Sequence, residues 1–506
     1  MSIETLCQSL CSYHNPQKSE AEKCLAGELV AAWCQKAPHL VPVLAGLLAQ
    51  SGPIGMRDKA RAFLLGQVCS NCVFRRHGCD FAAGVVDAPP CGGFVALANL
   101  LVSHTVTTGV ITAAWESFRA DGYLRLAEHA SLRRLESPHV YDRLADELYE
   151  VDETGFAWLS RCDGTTPGLA AAADRDFVDY LLAESLLACL ATPSPRALPW
   201  RQAPVPSLRY LELLLTARCN LRCRHCYQGE AGTEELPLDT VLAILREFHN
   251  MQGLRVLLTG GEPLLYRQWS QLNERLPEFE LRFVLLTNGL LLSDSLIRQL
   301  NVHEVQLSLD GLAHGHDLIR GPGTWRQAVN RLEALLAEGM PVSVATMIHQ
   351  GNLAELPAMH TWLSGLGIRE WNLDIPCKSG RLLQEPDIWV EPLEGAPYLE
   401  LGFGGSEHGA SGEFACGRHL AAVLPNGMVA KCGLYADQPL GHVSEGLETC
   451  WLRLSHIPLT ELACAPCPHL AVCRGGCRFR AGCGLAPDPV MCALYGVDPT
   501  SFEDST

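Results

Sequence analysis

Residues 208–227, LRYLELLLTARCNLRCRHCY, decide how this chain is read. Leu208 to Leu215 form an apolar run of strand length. The run then breaks into a polar loop carrying Cys219, Cys223 and Cys226, so three thiols sit at the C-terminal end of a strand. Structural zinc takes four protein ligands, and no fourth Cys or His completes a second pair nearby, although His225 lies within the motif. Three thiolates suit a four-iron four-sulfur cluster with one iron left open for a ligand.

The rest of the composition sets limits. The chain has 506 residues, a formal charge of −17 and 23 cysteines. That length calls for about three or four domains. The acidic balance and the lack of a Lys/Arg block argue against a nucleic-acid partner. The start, MSIETLCQSLCSYHNPQ, has no basic segment followed by an apolar one, so no secretory signal is read there. The most apolar window, GGFVALANLLVSHTVTTGVITAAW, is interrupted by Ser103 and His104 and reads as buried helices, not a membrane span. The expectation is a soluble, cytoplasmic protein with no nucleic-acid and no membrane partner. In that reducing setting, clustered thiols point to metal or catalysis, not disulfides.

The CxxxCxxC spacing, followed by Tyr227, resembles the radical S-adenosylmethionine (SAM) superfamily. The resemblance implies that Cys219, Cys223 and Cys226 hold a 4Fe-4S cluster whose open iron is chelated by SAM. An electron from that cluster then cleaves the sulfonium to a 5′-deoxyadenosyl radical. LRVLLTGGEPLL supplies a second strand and the family's GGEP turn, Gly260, Gly261, Glu262 and Pro263, which in the family receives the methionine amino group. Without a Cβ, the two glycines let the backbone turn sharply and approach a ligand.

Strand-like runs follow at RFVLLTNG, EVQLSLDG, PVSVATMI and REWNLDIP, separated by helical patterns. One helix shows Leu238, Val241, Leu242, Leu245 and Phe248 on one face, and another ends at Gly339. The fold class is therefore α/β: a partial (β/α)6 TIM-like barrel over residues 207–395, with its site at the C-terminal face. By the resemblance, Asn288, Ser308, Asp310 and Arg320 join Tyr227 and the GGEP residues as SAM-contacting candidates. Asn-Gly and Asp-Gly also make ordinary turns, and an exposed Arg is often only solvated.

A second field of cysteines occupies residues 400–506. Cys416 and Cys432 flank an Asn-Gly hairpin signal, and Cys464, Cys467, Cys473, Cys477 and Cys492 follow. The order CX10GX4C, CX2CX5CX3C and a last Cys resembles the SPASM extension of radical SAM enzymes. That resemblance implies one or two auxiliary 4Fe-4S clusters, with Cys416, Cys432 and Cys477 serving one and Cys464, Cys467, Cys473 and Cys492 the other. Eight ligands need one more residue, and Cys450, Cys483, Cys377 and His408 all stand open for that place. If none fills it, one auxiliary iron is free for a substrate.

Ahead of the barrel, residues 1–130 read as a helical, cysteine-bearing region. Cys69, Cys72, Cys79 and Cys91 open with a CxxC pair, which suits zinc or another iron-sulfur cluster. Within residues 131–195, the stretch 139–192 reads as two short strands and then helices, with Leu181, Leu182 and Leu186 on an apolar face. It resembles the winged-helix element by which peptide-modifying radical SAM enzymes grip a leader peptide. A structural or DNA-binding-like winged helix is the alternative reading, the acidic segment disfavouring DNA. Residues 196–206 read as a Pro-rich linker.

The expected function is hydrogen abstraction from a ribosomally made peptide or protein, with a flavodoxin- or ferredoxin-type reductant. Modification of a small cofactor such as a porphyrin is the second enzymatic reading. A non-catalytic electron carrier or redox sensor is the reading from another class.

Overall fold

The computed structural model describes residue 30 and residues 58–69, 92–102, 108–405, 414–482 and 484–505. Cys72, Cys79, Cys91, His408 and Cys483 therefore lie outside the described residues. The chain divides into two units, residues 1–133 with 137–200, and residues 134–136 with 201–506.

Among its described residues, the first unit holds helices α1 (Asp58–Gln67), α2 (Gly92–Val102) and α3 (Thr108–Asp121). Six short strands follow: β1 (Tyr123–Leu126), β2 (Ala130–Arg134), β3 (Pro138–Asp142), β4 (Glu147–Glu150), β5 (Asp163–Pro167) and β6 (Leu187–Leu190). Helix α4 (Glu153–Leu159) lies between β4 and β5, and α5 (Arg175–Ala183) precedes β6. The strands form two sheets, β5-β1-β6 and β2-β3-β4. Residues 131–195 thus hold more strand than their sequence suggests, because these strands are only four or five residues long and show no clean alternation.

The starts of α4 and α5 each have a local cause. Asp152 accepts from Gly155 N at 2.6 Å, and Asp174 accepts from the amides of Asp176 and Phe177, satisfying donors that the first turn leaves free. Val178, Leu181 and Leu182 of α5 pack with Phe156 and Leu159 of α4 in one buried core. No helix among the described residues is long and apolar enough to cross a membrane.

The second unit is built on a nine-stranded sheet. Strands β7 (Tyr210–Leu214), β8 (Arg255–Thr259), β9 (Arg282–Thr287), β10 (Glu304–Ser308), β11 (Val342–Met347) and β12 (Glu370–Asp374) are parallel neighbours in chain order, the partial barrel expected from the sequence. Period-two alternation explains its two faces. On β10, Val305 and Leu307 are fully buried against the helices, while Gln306 and Ser308 face the lumen. Helix α6 (Leu238–Asn250) buries Val241, Leu242, Leu245 and Phe248 on the outer layer.

Three further strands, β13 (Leu420–Val423), β14 (Met428–Ala430) and β15 (Gly441–His442), extend this sheet. β13 pairs in parallel with β7, with Leu420 opposite Tyr210 and Val423 opposite Leu213. The Asn426-Gly427 turn closes the antiparallel β13–β14 hairpin, with Gly427 at φ +81°. The cysteine-rich segment is thereby stitched to the first barrel strand, which sets Cys432 beside the barrel mouth.

Candidate active site

A cavity of about 480 Å³ opens at the C-terminal ends of the barrel strands. Cys219, Cys223 and Cys226 all line it, on the loop that leaves β7. Two contacts fix that loop against the turn after β8. Gly261 N donates to Thr216 O at 2.7 Å, and Glu262 N donates to Arg218 O at 2.8 Å. The approach is so close that only glycine fits: a Cβ on Gly260 would lie 2.5 Å from Thr216 O, and one on Gly261 would lie 2.4 Å from Arg218 O. The Gly-Gly pair is therefore demanded by the cysteine loop as well as by any ligand.

Glu262 is buried and already engaged. It accepts from Thr287 Oγ1 at 2.8 Å, Asn288 N at 3.0 Å and Leu264 N at 3.2 Å. Burial pushes its carboxyl up, and these donors pull against that. Its side chain thus holds the end of β9 in place, while the loop backbone faces the cavity. Asn288 donates to Asn220 Oδ1 at 2.9 Å, tying the same strand end to the cysteine loop.

Asp310 and Arg320 form a buried pair, Nε to Oδ2 at 2.6 Å. Burial alone would raise the Asp310 carboxyl, but the Arg320 guanidinium holds it well below the usual carboxylate range. Asp310 also accepts from Met347 N at 2.9 Å, so it braces β11 instead of offering a free oxygen. Arg320 Nη1 stands 3.9 Å from Cys223 Sγ. Burial raises the Cys223 thiol and the guanidinium opposes that rise, so Arg320 favours the thiolate that a metal would need. Burial pulls His225, which also lines the cavity, down to about 4, leaving it neutral with an unpartnered Nδ1. Ser308 faces the cavity from the end of β10. Tyr227 packs so tightly on Gly433 that a Cβ there would lie 2.7 Å from its hydroxyl.

Several cavity residues were not singled out from sequence. Glu212 sits mid-strand in β7 and accepts from Gly433 N at 2.8 Å. Its signal was present, a lone carboxylate inside an otherwise apolar strand. Arg381 N donates to Cys226 O at 3.0 Å, a contact from a loop with no readable pattern.

The remaining cysteines fall in two places. Cys464, Cys467, Cys473 and Cys492 line one small pocket, where His469 stacks on Tyr495 with ring centroids 4.9 Å apart. Cys416 and Cys432 lie apart from that pocket, near Cys477. Cys450 is buried in the barrel core, and its thiol donates to His442 O at 3.5 Å. Cys69 is buried at the end of α1.

Among the described residues, no three His, Cys, Asp or Glu side chains close on a point that a single metal ion would fill. A polynuclear cluster instead takes its thiolates spread around it. Three thiols facing an open cavity, with a guanidinium beside one, are a donor set that fits such a cluster with one side free.

Residues 213–363 match the Radical SAM superfamily model. Mycofactocin maturase MftC of Mycobacterium tuberculosis (strain ATCC 25618 / H37Rv) is 28% identical over 340 residues, covering 59% of this chain and 87% of that protein. An AdoMet-dependent heme synthase of Oleidesulfovibrio alaskensis is 29% identical over 188 residues, 35% of this chain and 48% of that one. Among solved structures, Streptococcus suis SuiB bound to precursor peptide SuiA superposes with a TM-score of 0.54 at 14% identity, covering 71% of this chain and 97% of that one, a likeness of fold.

Proposed function

We propose, for a chain that the match over residues 213–363 makes a radical SAM enzyme, that its substrate is a ribosomally made peptide. Cys219, Cys223 and Cys226 would hold the SAM-binding 4Fe-4S cluster, with Arg320 beside Cys223. When bound, that cluster supplies the electron that cleaves SAM to the 5′-deoxyadenosyl radical. The chain's own contribution is placement. The Gly260–Gly261 backbone, Asn288 and Ser308 shape the mouth, and Asp310 and Arg320 brace it. Cys464, Cys467, Cys473 and Cys492 would hold one auxiliary cluster, and Cys416, Cys432 and Cys477 belong to the other.

The observation that carries the peptide reading is the edge of β4. Among the described residues, that strand pairs with β3 on one side and stands last in its sheet. Beside it, Tyr149 meets Tyr180 of α5 edge to face at 6.3 Å, and Tyr180 is half exposed. An exposed strand edge with aromatic neighbours accepts an extended peptide as an added strand. The maturase relative agrees with this reading. The reductant would be a flavodoxin- or ferredoxin-type protein, and the working compartment the reducing cytoplasm.

The test is the mass spectrum of a small peptide encoded beside this chain, after anaerobic incubation with the reconstituted enzyme, SAM and reductant. A mass change that requires SAM and the three barrel cysteines supports peptide maturation. An unchanged peptide with continued 5′-deoxyadenosine release moves the substrate to a small molecule such as a porphyrin. No 5′-deoxyadenosine under strong reduction leaves an electron carrier.

A further inference from the structure

We infer that Cys377 is the fourth thiolate of the auxiliary cluster served by Cys416, Cys432 and Cys477, so that this cluster has no iron open to substrate. The inference rests on the radical SAM reading and not on the peptide being the substrate.

The seven-cysteine pattern leaves this group one ligand short, and Cys377 lies well upstream of it, just past the end of β12. Strand β12 ends at Asp374, and Pro376 cannot continue the ladder, so the chain turns toward the cavity mouth. Cys377 lines that mouth together with Cys432. Cys377 and Cys416 both stand beside Cys477, close enough to act on its thiol. Four thiols from three separate segments thus meet at one place.

A salt-bridge network holds them there. Arg480 reaches Asp374 Oδ1 at 2.5 Å, Ile375 O at 3.3 Å and Asp488 Oδ2 at 3.0 Å. Asp488 in turn accepts from Cys477 N at 2.7 Å. The exit of β12 and the Cys477 turn are therefore pinned to the same guanidinium. A free carboxylate or histidine is not needed to complete the set. Of the other candidates, Cys450 is buried in the barrel core and spends its thiol on His442 O.

The turn that follows Cys377 touches the SAM-cluster loop as well. A Cβ on Gly380, at φ +53°, would lie 2.3 Å from Cys226 O, and Arg381 N donates to the same carbonyl. Residues 377–381 therefore run from one thiol group to the other. A fully ligated cluster at this position suits electron transfer and not substrate chelation.

The test uses the full chain, anaerobically reconstituted with iron and sulfide, and reads iron content and the electron paramagnetic resonance (EPR) of the reduced and briefly oxidised protein. Cys377→Ala should alter one auxiliary signal and, on oxidation, lose one iron of that cluster to give a three-iron signal. A small thiol such as 2-mercaptoethanol should restore the original spectrum. Cys377→Ser, which keeps an oxygen ligand, should keep all the irons but shift that signal, and it answers the question if the alanine variant does not fold. Cys450→Ala should match the parent. The assignment is overturned if Cys377→Ala, or Cys377→Ser in its place, matches the parent, or if Cys450→Ala, Cys483→Ala or His408→Ala produces the change instead. A parent protein that assembles no cluster or cleaves no SAM sinks the radical SAM reading itself, a separate failure.

Discussion

The barrel loop and the C-terminal cysteine groups use one side chain in two settings. At the loop, Cys219, Cys223 and Cys226 face a cavity of about 480 Å³. In the C-terminal region, Cys464, Cys467, Cys473 and Cys492 surround a small pocket of their own. The difference is what stands opposite the thiols. Three thiols with open space opposite leave a coordination position for a substrate, whereas four leave none. On the proposed reading, chemistry on SAM would belong to the loop, and electron storage to the closed groups.

The largest expected effect separates the two directly. Cys226→Ala should bring 5′-deoxyadenosine production to background, measured by chromatography under strong reduction. Cys464→Ala should instead delete one auxiliary signal and lower peptide conversion more than 5′-deoxyadenosine release. Equal losses from both variants would break the distinction.

Next in size is the pair that supports the open site. Arg320→Met leaves Asp310 as an uncompensated buried carboxylate, which should cost about 3–5 kcal/mol. Thermal melts of Arg320→Met, Asp310→Asn and the double variant should show the double variant losing less than the two single losses together. A strictly additive result would mean that the pair does not act as a unit.

Gly261→Ala should cost about 1–3 kcal/mol, because its Cβ would collide with Arg218 O. SAM affinity, read by equilibrium binding, should fall with it, while the auxiliary signals stay unchanged.

The smallest effect lies on the β7 anchor, away from the cysteines. Ser207 and Arg209 bind Glu136, and His419 Nδ1 donates to Ser207 O at 2.7 Å. Burial raises Glu136, but the Ser207 amide and Arg209 bring it down to about 2, so the unfolded chain binds its proton first as pH falls below 4.5. Burial lowers His419 to about 4, so the unfolded chain again binds the proton first below 6.5. Both groups therefore remove stability as the medium is acidified. Melting temperature should fall from pH 7 to pH 5, and His419→Gln should flatten that slope. A slope unchanged in the variant would reassign the acid sensitivity.

The barrel was legible in sequence because parallel strands are apolar runs with helices between them, and because the cysteine and GGEP motifs mark two strand ends. The residues that brace the site were less legible. Asp310, Glu262 and Asn288 were read as SAM contacts, whereas Asp310 and Glu262 also secure neighbouring strands and Asn288 the cysteine loop, by hydrogen bonds that sequence does not show. The parallel pairing of β13 with β7 was hidden for the same reason, since it joins residues 210 positions apart in the chain, such as Tyr210 and Leu420. The short strands of residues 123–190 lack the length that makes alternation visible.

The most direct test of the account is the EPR of the reduced protein with and without SAM, in the parent and in Cys226→Ala. The account predicts that SAM perturbs one signal and that this signal is missing from Cys226→Ala, while the remaining signals ignore SAM. A SAM-sensitive signal that survives in Cys226→Ala would contradict it, because the open site would then lie among the C-terminal cysteines.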